Sequence, residues 1–244
     1  MVRMLVTRPE PEASDTAQRL AALDIEAVIA PLLRARVLAT SLPDPRGFSA
    51  IAVTSAAALR ALAERDAIAP YRGLPLFAVG EKTARTAREM GFSSVEIAGG
   101  TLGHLVEKLA HAGLGGPVFY PAARDLSGDL ARSLAPYGVM VITTRVYAMD
   151  AADALPEPVA ADLAGGAIDA ALFYSRRTAE TFVRLAAPIM GPVERRRLGA
   201  LCLSEAIAEP LIDAHFVRVG LADSPGEQAM MRLALSFSRD GGLS

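Results

Sequence analysis

The chain aligns with itself in an interleaved order, and that constrains its fold more than any single motif. AQRLAALDIEAVIAPLLRA aligns with ARSLAPYGVMVITTRVYA, with Leu20 over Leu134. SAIAVTSAAALRALA aligns with DAALFYSRRTAETFV, with Ser55 over Ser175. The stretch from VGEKTARTAREMGF to VEKL aligns with that from LSEAIAEPLIDAHF to MMRL, with Leu109 over Leu233. Self-similarity on this scale marks duplicated supersecondary units. The order of the matches predicts one continuous domain over residues 35–149 and a discontinuous one joining 1–34 to 150–244. The segments Arg34–Thr40 and Arg145–Asp150 then carry the chain across twice, as a two-stranded hinge connection with a cleft between the domains.

Apolar runs bounded by turn residues predict strands at Met4–Thr7, Ala27–Ile29, Ala50–Thr54, Leu76–Val79, Ser94–Ile97 and Val118–Tyr120. Further strands are predicted at Val139–Thr143, Ala170–Tyr174, Leu198–Leu203 and Phe216–Val219. Stretches with helical spacing, such as Ala13–Leu23 and Ala56–Arg65, separate most of them. The alternation predicts an α/β fold of two similar parallel-sheet domains. Continuous apolar strands such as AALFY belong in sheets covered on both faces.

Hydrophobic residues make up 52% of the 244 and charged residues 21%, a balance that supports a buried core and excludes disorder. A net charge of −2 gives no bulk attraction for nucleic acid, so an anionic ligand must be held by local groups. Cys202 is the only cysteine, which rules out an internal disulfide. MVRMLVTRPE is too short an apolar run for a signal peptide, and no stretch approaches the roughly 18 apolar residues of a membrane span. The expectation is a cytoplasmic monomer with no membrane or nucleic-acid partner.

Four strand-to-helix turns stand out: Thr54-Ser55-Ala56, Gly80-Glu81-Lys82-Thr83, Tyr174-Ser175-Arg176-Arg177-Thr178 and Ser204-Glu205-Ala206. Each sets a small or hydroxylated residue where a helix begins. Unpaired N–H groups and the positive end of the helix dipole suit such points to carboxylates. The same residues serve equally well as plain N-caps. Gly99-Gly100 followed by Gly103 lacks the spacing of a dinucleotide fingerprint. His104, His111 and His215 form no metal pattern with Cys202, and His104 and His111 mark one solvated helix face. Glu194–Arg197 reads as solvated surface. Tyr147, beside the second crossing, is either a core ring or a proton donor.

At this point the motifs resemble the uroporphyrinogen-III synthase family over nearly the whole chain. LVTRPEPEA at Leu5–Ala13 is similar to the bacterial family's opening strand and turn. AIAVTSAAAL and AVGEKTA resemble its F-T-S-x-x-A and V-G-x-x-T-A turns. YPAARD and RVYAMD resemble its next strand and its V-Y segment. FYSRRTAE and ADSPGEQAM resemble its F-x-S turn and its closing A-x-x-P-x-x-x-A element. The chain departs from the family's I-G-P-x-T-A turn, reading Leu203-Ser204-Glu205-Ala206-Ile207-Ala208, with Ser204 as a substitute hydroxyl.

The resemblance implies an enzyme of tetrapyrrole biosynthesis that needs no metal or organic cofactor. Its substrate would be hydroxymethylbilane, dehydrated and closed into a macrocycle with the terminal pyrrole ring inverted. On that reading Arg8, Thr54, Ser55, Lys82, Thr83, Arg124, Ser175, Arg176, Thr178 and Ser204 hold the substrate's carboxylates. Tyr147 gives a proton to the departing hydroxyl. Two rival readings are a non-enzymatic two-lobed anion sensor and a sugar transferase, the latter lacking a visible nucleotide-binding element.

Overall fold

Met4, Leu5 and Val6 are all fully buried, so the strand they form must be covered on both of its faces. The computed structural model, which describes residues 1–126 and 128–240, supplies that cover. In chain order the elements begin with β1 (Arg3–Val6), α1 (Glu12–Ala21), β2 (Glu26–Ile29) and β3 (Leu33–Val37). Then come β4 (Ala50–Val53), α2 (Ala56–Glu64), β5 (Leu76–Ala78), α3 (Glu81–Glu89), β6 (Val95–Ile97) and α4 (Leu102–Ala110). Next are β7 (Val118–Ala123), α5 (Leu130–Leu134), β8 (Val141–Ala151) and α6 (Glu157–Ala164). The remainder is β9 (Ala170–Phe173), α7 (Arg176–Ala186), α8 (Pro192–Arg197), β10 (Gly199–Cys202), α9 (Glu205–Asp213), β11 (Arg218–Leu221) and α10 (Glu227–Asp240).

The chain divides into two compact units, one of Met1–Arg34 with Asp150–Ser244 and one of Ala35–Met149. Residues 241–244, at the end of the first unit, lie outside the described residues. In the first unit the sheet order is β11-β10-β9-β1-β2, with each neighbouring pair parallel. The side chains alternate as the pleat requires. Leu5, Ala171, Phe173, Ala200 and Cys202 face α6, α7 and α9. Met4, Val6, Ala170, Leu172 and Leu201 face α1 and α10.

The second unit has the order β3-β8-β7-β4-β5-β6. Ile51, Val53, Leu76, Ala78 and Phe119 pack on α2 and α3. Ala50, Ala52, Phe77, Val118 and Tyr120 pack on α4 and α5. Setting β3 aside, both sheets are the same object: β9, β10 and β11 answer to β4, β5 and β6, and β1 and β2 answer to β7 and β8. The interleaved self-match is this correspondence, since equivalent strand–helix pairs bury equivalent faces. In both units the connections run outward in opposite directions from two central strands, β1 and β9 or β7 and β4.

Within the segments expected to form the two-stranded connection, Leu33–Val37 is strand β3, and β8 runs past the predicted end at Thr143 to Ala151. The polar residues of TTR interrupt the apolar run, but β8 pairs on both sides, and that pairing satisfies its backbone whatever its side chains. Glu194–Arg197 is more than solvated surface. Arg195 donates from Nε to Met190 O at 3.1 Å, from Nη2 to Ala187 O at 2.8 Å and from Nη1 to Ala214 O at 3.5 Å. One guanidinium thus covers carbonyls beyond the ends of both α7 and α9.

Among the described glycines, Gly199 has the least room: an added β-carbon would lie 2.3 Å from Phe237 Cε2 and 3.2 Å from Ala170 Cβ. Gly199→Ala is expected to lower stability by about 1–3 kcal/mol, measured as a shift of the urea midpoint at unchanged slope. Cys202 is fully buried, and burial pushes its thiol up to about 12. Because the thiolate is the reactive form, native protein at pH 8 should leave Ellman's reagent uncoloured. The unfolded protein should release one equivalent.

Candidate active site

Parallel strands all end on the same edge, so the helices that follow them begin together there. In the second unit this edge carries Thr54 and Ser55 after β4, Gly80 to Thr83 after β5, and Arg124 after β7. Tyr147 stands on β8 opposite Ala123, the last residue of β7. In the first unit it carries Arg8 after β1, Ser175 to Thr178 after β9, and Ser204 after β10. The predicted residues therefore gather at the carboxyl edge of one sheet or the other, around the central strands where open α/β sheets bind ligands.

Around the β4/β7 centre, Thr54 Oγ1 and the Tyr120 hydroxyl lie 3.0 Å apart and bridge the two strands. Burial raises the Tyr120 hydroxyl above the usual tyrosine range, so it stays protonated and can donate. Tyr120 is not among the residues that the sequence motifs single out, and only its place in the central strand just before Arg124 relates it to this edge. The Arg124 N–H donates to Tyr147 O at 2.7 Å, tying the end of β7 to β8. Tyr147 itself is 6% exposed and packs in the apolar cluster with Val53, Phe119 and Val146. Arg124 and Lys82 are exposed.

The turn after β5 lies against the loop after β6: an added β-carbon at Gly80 would be in ordinary contact, 3.6 Å from Gly100 Cα. Gly99 and Gly100 have φ of +104° and +99°, which favours glycine, and Gly100 N donates to Val79 O at 2.6 Å. The pair excluded as a dinucleotide fingerprint thus closes the loop over this turn.

In the first unit, Ser175 caps α7: its Oγ accepts from Thr178 N at 3.2 Å and contacts Thr178 Oγ1 at 2.7 Å. Thr178 and Thr83 are both buried, and the Thr178 hydroxyl is held by Ser175. Arg176 is occupied: it pairs with Glu180 at 3.0 Å and with Glu209, and donates to Ala206 O at 3.2 Å. That carbonyl is the one Pro210, inside α9, cannot bond for want of an N–H. Arg8 is occupied as well, by Glu227 and Thr16, with its guanidinium 3.9 Å from the Tyr174 ring centroid. Sequence spacing shows only the Arg176–Glu180 pair, four residues apart, because Glu209 and Glu227 come from distant segments.

Side-chain capping divides these helices into two classes. Ser55 accepts from Ala57 N at 3.2 Å and Ser175 from Thr178 N, closing α2 and α7. No side chain caps α3 or α9, which begin at Gly80 and Ser204. These two helices are equivalents of each other in the paired sheets. Elsewhere, a groove of about 760 Å³ lies over β5 and β6 beneath α4, lined by Phe77, Glu96, His104, Lys108 and His111. Both histidines are exposed there. Among the described residues, no group of three or more His, Cys, Asp or Glu could hold a metal ion, and no helix is long and apolar enough to cross a membrane.

A family model described as uroporphyrinogen-III synthase HemD matches residues 14–232. Among solved structures, the chain is similar to a uroporphyrinogen-III synthetase from Helicobacter pylori 26695, with 20% identity and a TM-score of 0.66 over 97% of this chain and 100% of that one. It is also similar to a mutant uroporphyrinogen III synthase from the extremely thermophilic bacterium Thermus thermophilus, with 18% identity and a TM-score of 0.54 over 98% of each chain. No curated protein sequence matches it. The two structural likenesses establish the paired α/β fold. The family match runs through every turn from α2 to α9 described above, and by it the chain belongs to the uroporphyrinogen-III synthase family.

Proposed function

We propose that this chain converts hydroxymethylbilane to uroporphyrinogen III and holds the substrate's carboxylates at the carboxyl edges of its sheets. The family acts in tetrapyrrole biosynthesis, and its reaction sets what the site must do. An electron-rich pyrrole expels its own hydroxymethyl oxygen as water once that oxygen is protonated. The remaining task is to keep the chain curled so that the substituted carbon of the last ring attacks first. A spiro intermediate then fragments and recloses with that ring turned over. Closure without a protein skips the inversion, so catalysis here is chiefly positioning.

The observation that carries the site assignment is that, of the four strand-to-helix turns singled out, those opening the equivalent helices α3 and α9 have no side-chain cap. Their first N–H groups face the edge where a ligand would lie, and no side-chain oxygen claims them. Thr54, Ser55, Lys82, Thr83, Arg124, Ser175, Thr178 and Ser204 line the same edges and are proposed as binders. Arg176 is proposed to contribute through its backbone N–H, since its guanidinium is engaged elsewhere. Arg8 is proposed as a binder in the manner developed below. Tyr147 is the proposed acid, supported by its register beside the end of β7.

Purified protein given hydroxymethylbilane should yield the III isomer, resolved from the I isomer after oxidation to the porphyrin. A ligand sensor would leave only the spontaneous I isomer, and that outcome would sink the assignment. Tyr147→Phe should slow formation of the III isomer by about 100-fold, the lower end for loss of a general acid, with product affinity retained. Full turnover in that variant would remove Tyr147 from the mechanism.

A further inference from the structure

Three donors from distant parts of the first unit converge on one carboxylate. Glu227, the first residue of α10, receives Thr16 Oγ1 on Oε1 at 2.9 Å and the Tyr174 hydroxyl on the same oxygen at 3.2 Å. Arg8 Nη1 pairs with Oε2 and also reaches Thr16 Oγ1 at 3.2 Å. The donors are built into the fold: Arg8 follows β1, Thr16 is fully buried on α1, and Tyr174 follows β9. They stand at the junction of β1 and β9, the first unit's two central strands, where connections depart in opposite directions. The receiving carboxylate is not part of that framework. It enters from α10, directly after the irregular residues 222–226, where Gly226 has φ +148°.

We propose that Arg8, Thr16 and Tyr174 form a receptor for one substrate carboxylate, and that Glu227 is its resident occupant, displaced when substrate binds. The displacement rests on the reaction proposed above; the receptor does not. Three charge-assisted or hydroxyl donors aimed at a single carboxylate make a complete anion site. The Arg8 guanidinium is stacked on the Tyr174 ring and its side chain is only 19% exposed, so leaving it without an anion would strand a largely buried charge. A built-in carboxylate removes that penalty before substrate arrives. Exchanging it for another carboxylate leaves every donor satisfied. The Arg8 Nε is buried and has no acceptor among the described residues, so the guanidinium has donor capacity that Glu227 does not use. Burial, with Glu227 alongside, pushes the Tyr174 hydroxyl far above the ordinary tyrosine range, which keeps it a donor to whichever carboxylate is present.

The test uses the full chain with Glu227→Ala, melted in sodium acetate and in sodium chloride at equal ionic strength. Acetate should saturably recover at least half of the Tm lost by the variant, and chloride and acetamide should not. Adding Arg8→Gln should abolish the recovery. Equal effects of acetate and chloride would overturn the receptor. Should Glu227→Ala not fold, Glu227→Gln keeps the shape and weakens the occupant. Its KM for hydroxymethylbilane should fall by about fivefold, as expected when a charged contact becomes a neutral one. An unchanged or raised KM would overturn the displacement and leave Glu227 as a tie for α10. Wild-type protein that makes no III isomer would remove the proposed reaction, and the acetate comparison would still decide the receptor.

Discussion

Parallel pairing of fully buried strands is the constraint on which the rest depends. A strand such as Ala170–Phe173, with no exposed residue, needs helices on both faces of its sheet. A helix that crosses from one parallel strand to the next must return the chain to that strand's start, so it begins at the carboxyl edge. The strand-to-helix turns are thereby concentrated along one edge of each sheet without any further instruction. The identity of the residues at those turns then decides whether the edge is closed by its own side chains or open to an anion.

Arginines at either edge of the first unit's sheet show how weak a marker of a ligand that side chain is. Arg3 is held by Glu26 at 3.0 Å, Asp162 at 2.9 Å and the Ala167 carbonyl at 3.0 Å. Arg195 serves three carbonyls, and Arg176 repairs the carbonyl that Pro210 leaves open. These guanidinium groups are committed to the protein's own acceptors, because five donors in a rigid fork suit crowded backbone ends as well as they suit ligands. An arginine near a turn is therefore weak evidence of substrate binding. What matters is whether its partner belongs to the fixed framework or to an element that enters from its own end, as Glu227 does.

Much of the fold was legible because the same burial problem is solved twice. The Ser55 and Ser175 segments align because β4–α2 and β9–α7 need apolar strands, a cap and an apolar helix face in the same order. β3 and the far half of β8 were not legible, since Arg34–Val37 and Thr143–Arg145 contain polar residues whose strand form is fixed by neighbours, not by composition. Tyr120 was overlooked for a related reason: as one apolar letter in a strand, it gave no hint that its hydroxyl meets Thr54. The turns themselves were readable as helix starts. Which of them is closed by a side chain was not, because a serine at the first position caps in one setting and not in another.

The first unit shows what separates those settings, since Ser175 and Ser204 stand in neighbouring turns. Both have extended backbone at the first position before a helix. Ser175 has Thr178 three residues later, and the two hydroxyls hold each other at 2.7 Å while the Ser175 oxygen takes the Thr178 N–H. Ser204 has Ile207 at that place, so nothing polar anchors its hydroxyl over the helix end, and no side-chain cap forms. At α3 the halves are reversed: Thr83 is present but Gly80 supplies no oxygen. Ser55 reaches the same end by a shorter route, taking the Ala57 N–H two residues on, which needs no polar partner at the third. Of the four turns, those opening α2 and α7 are thus closed by a serine, and their neighbours α3 and α9 start without a side-chain cap.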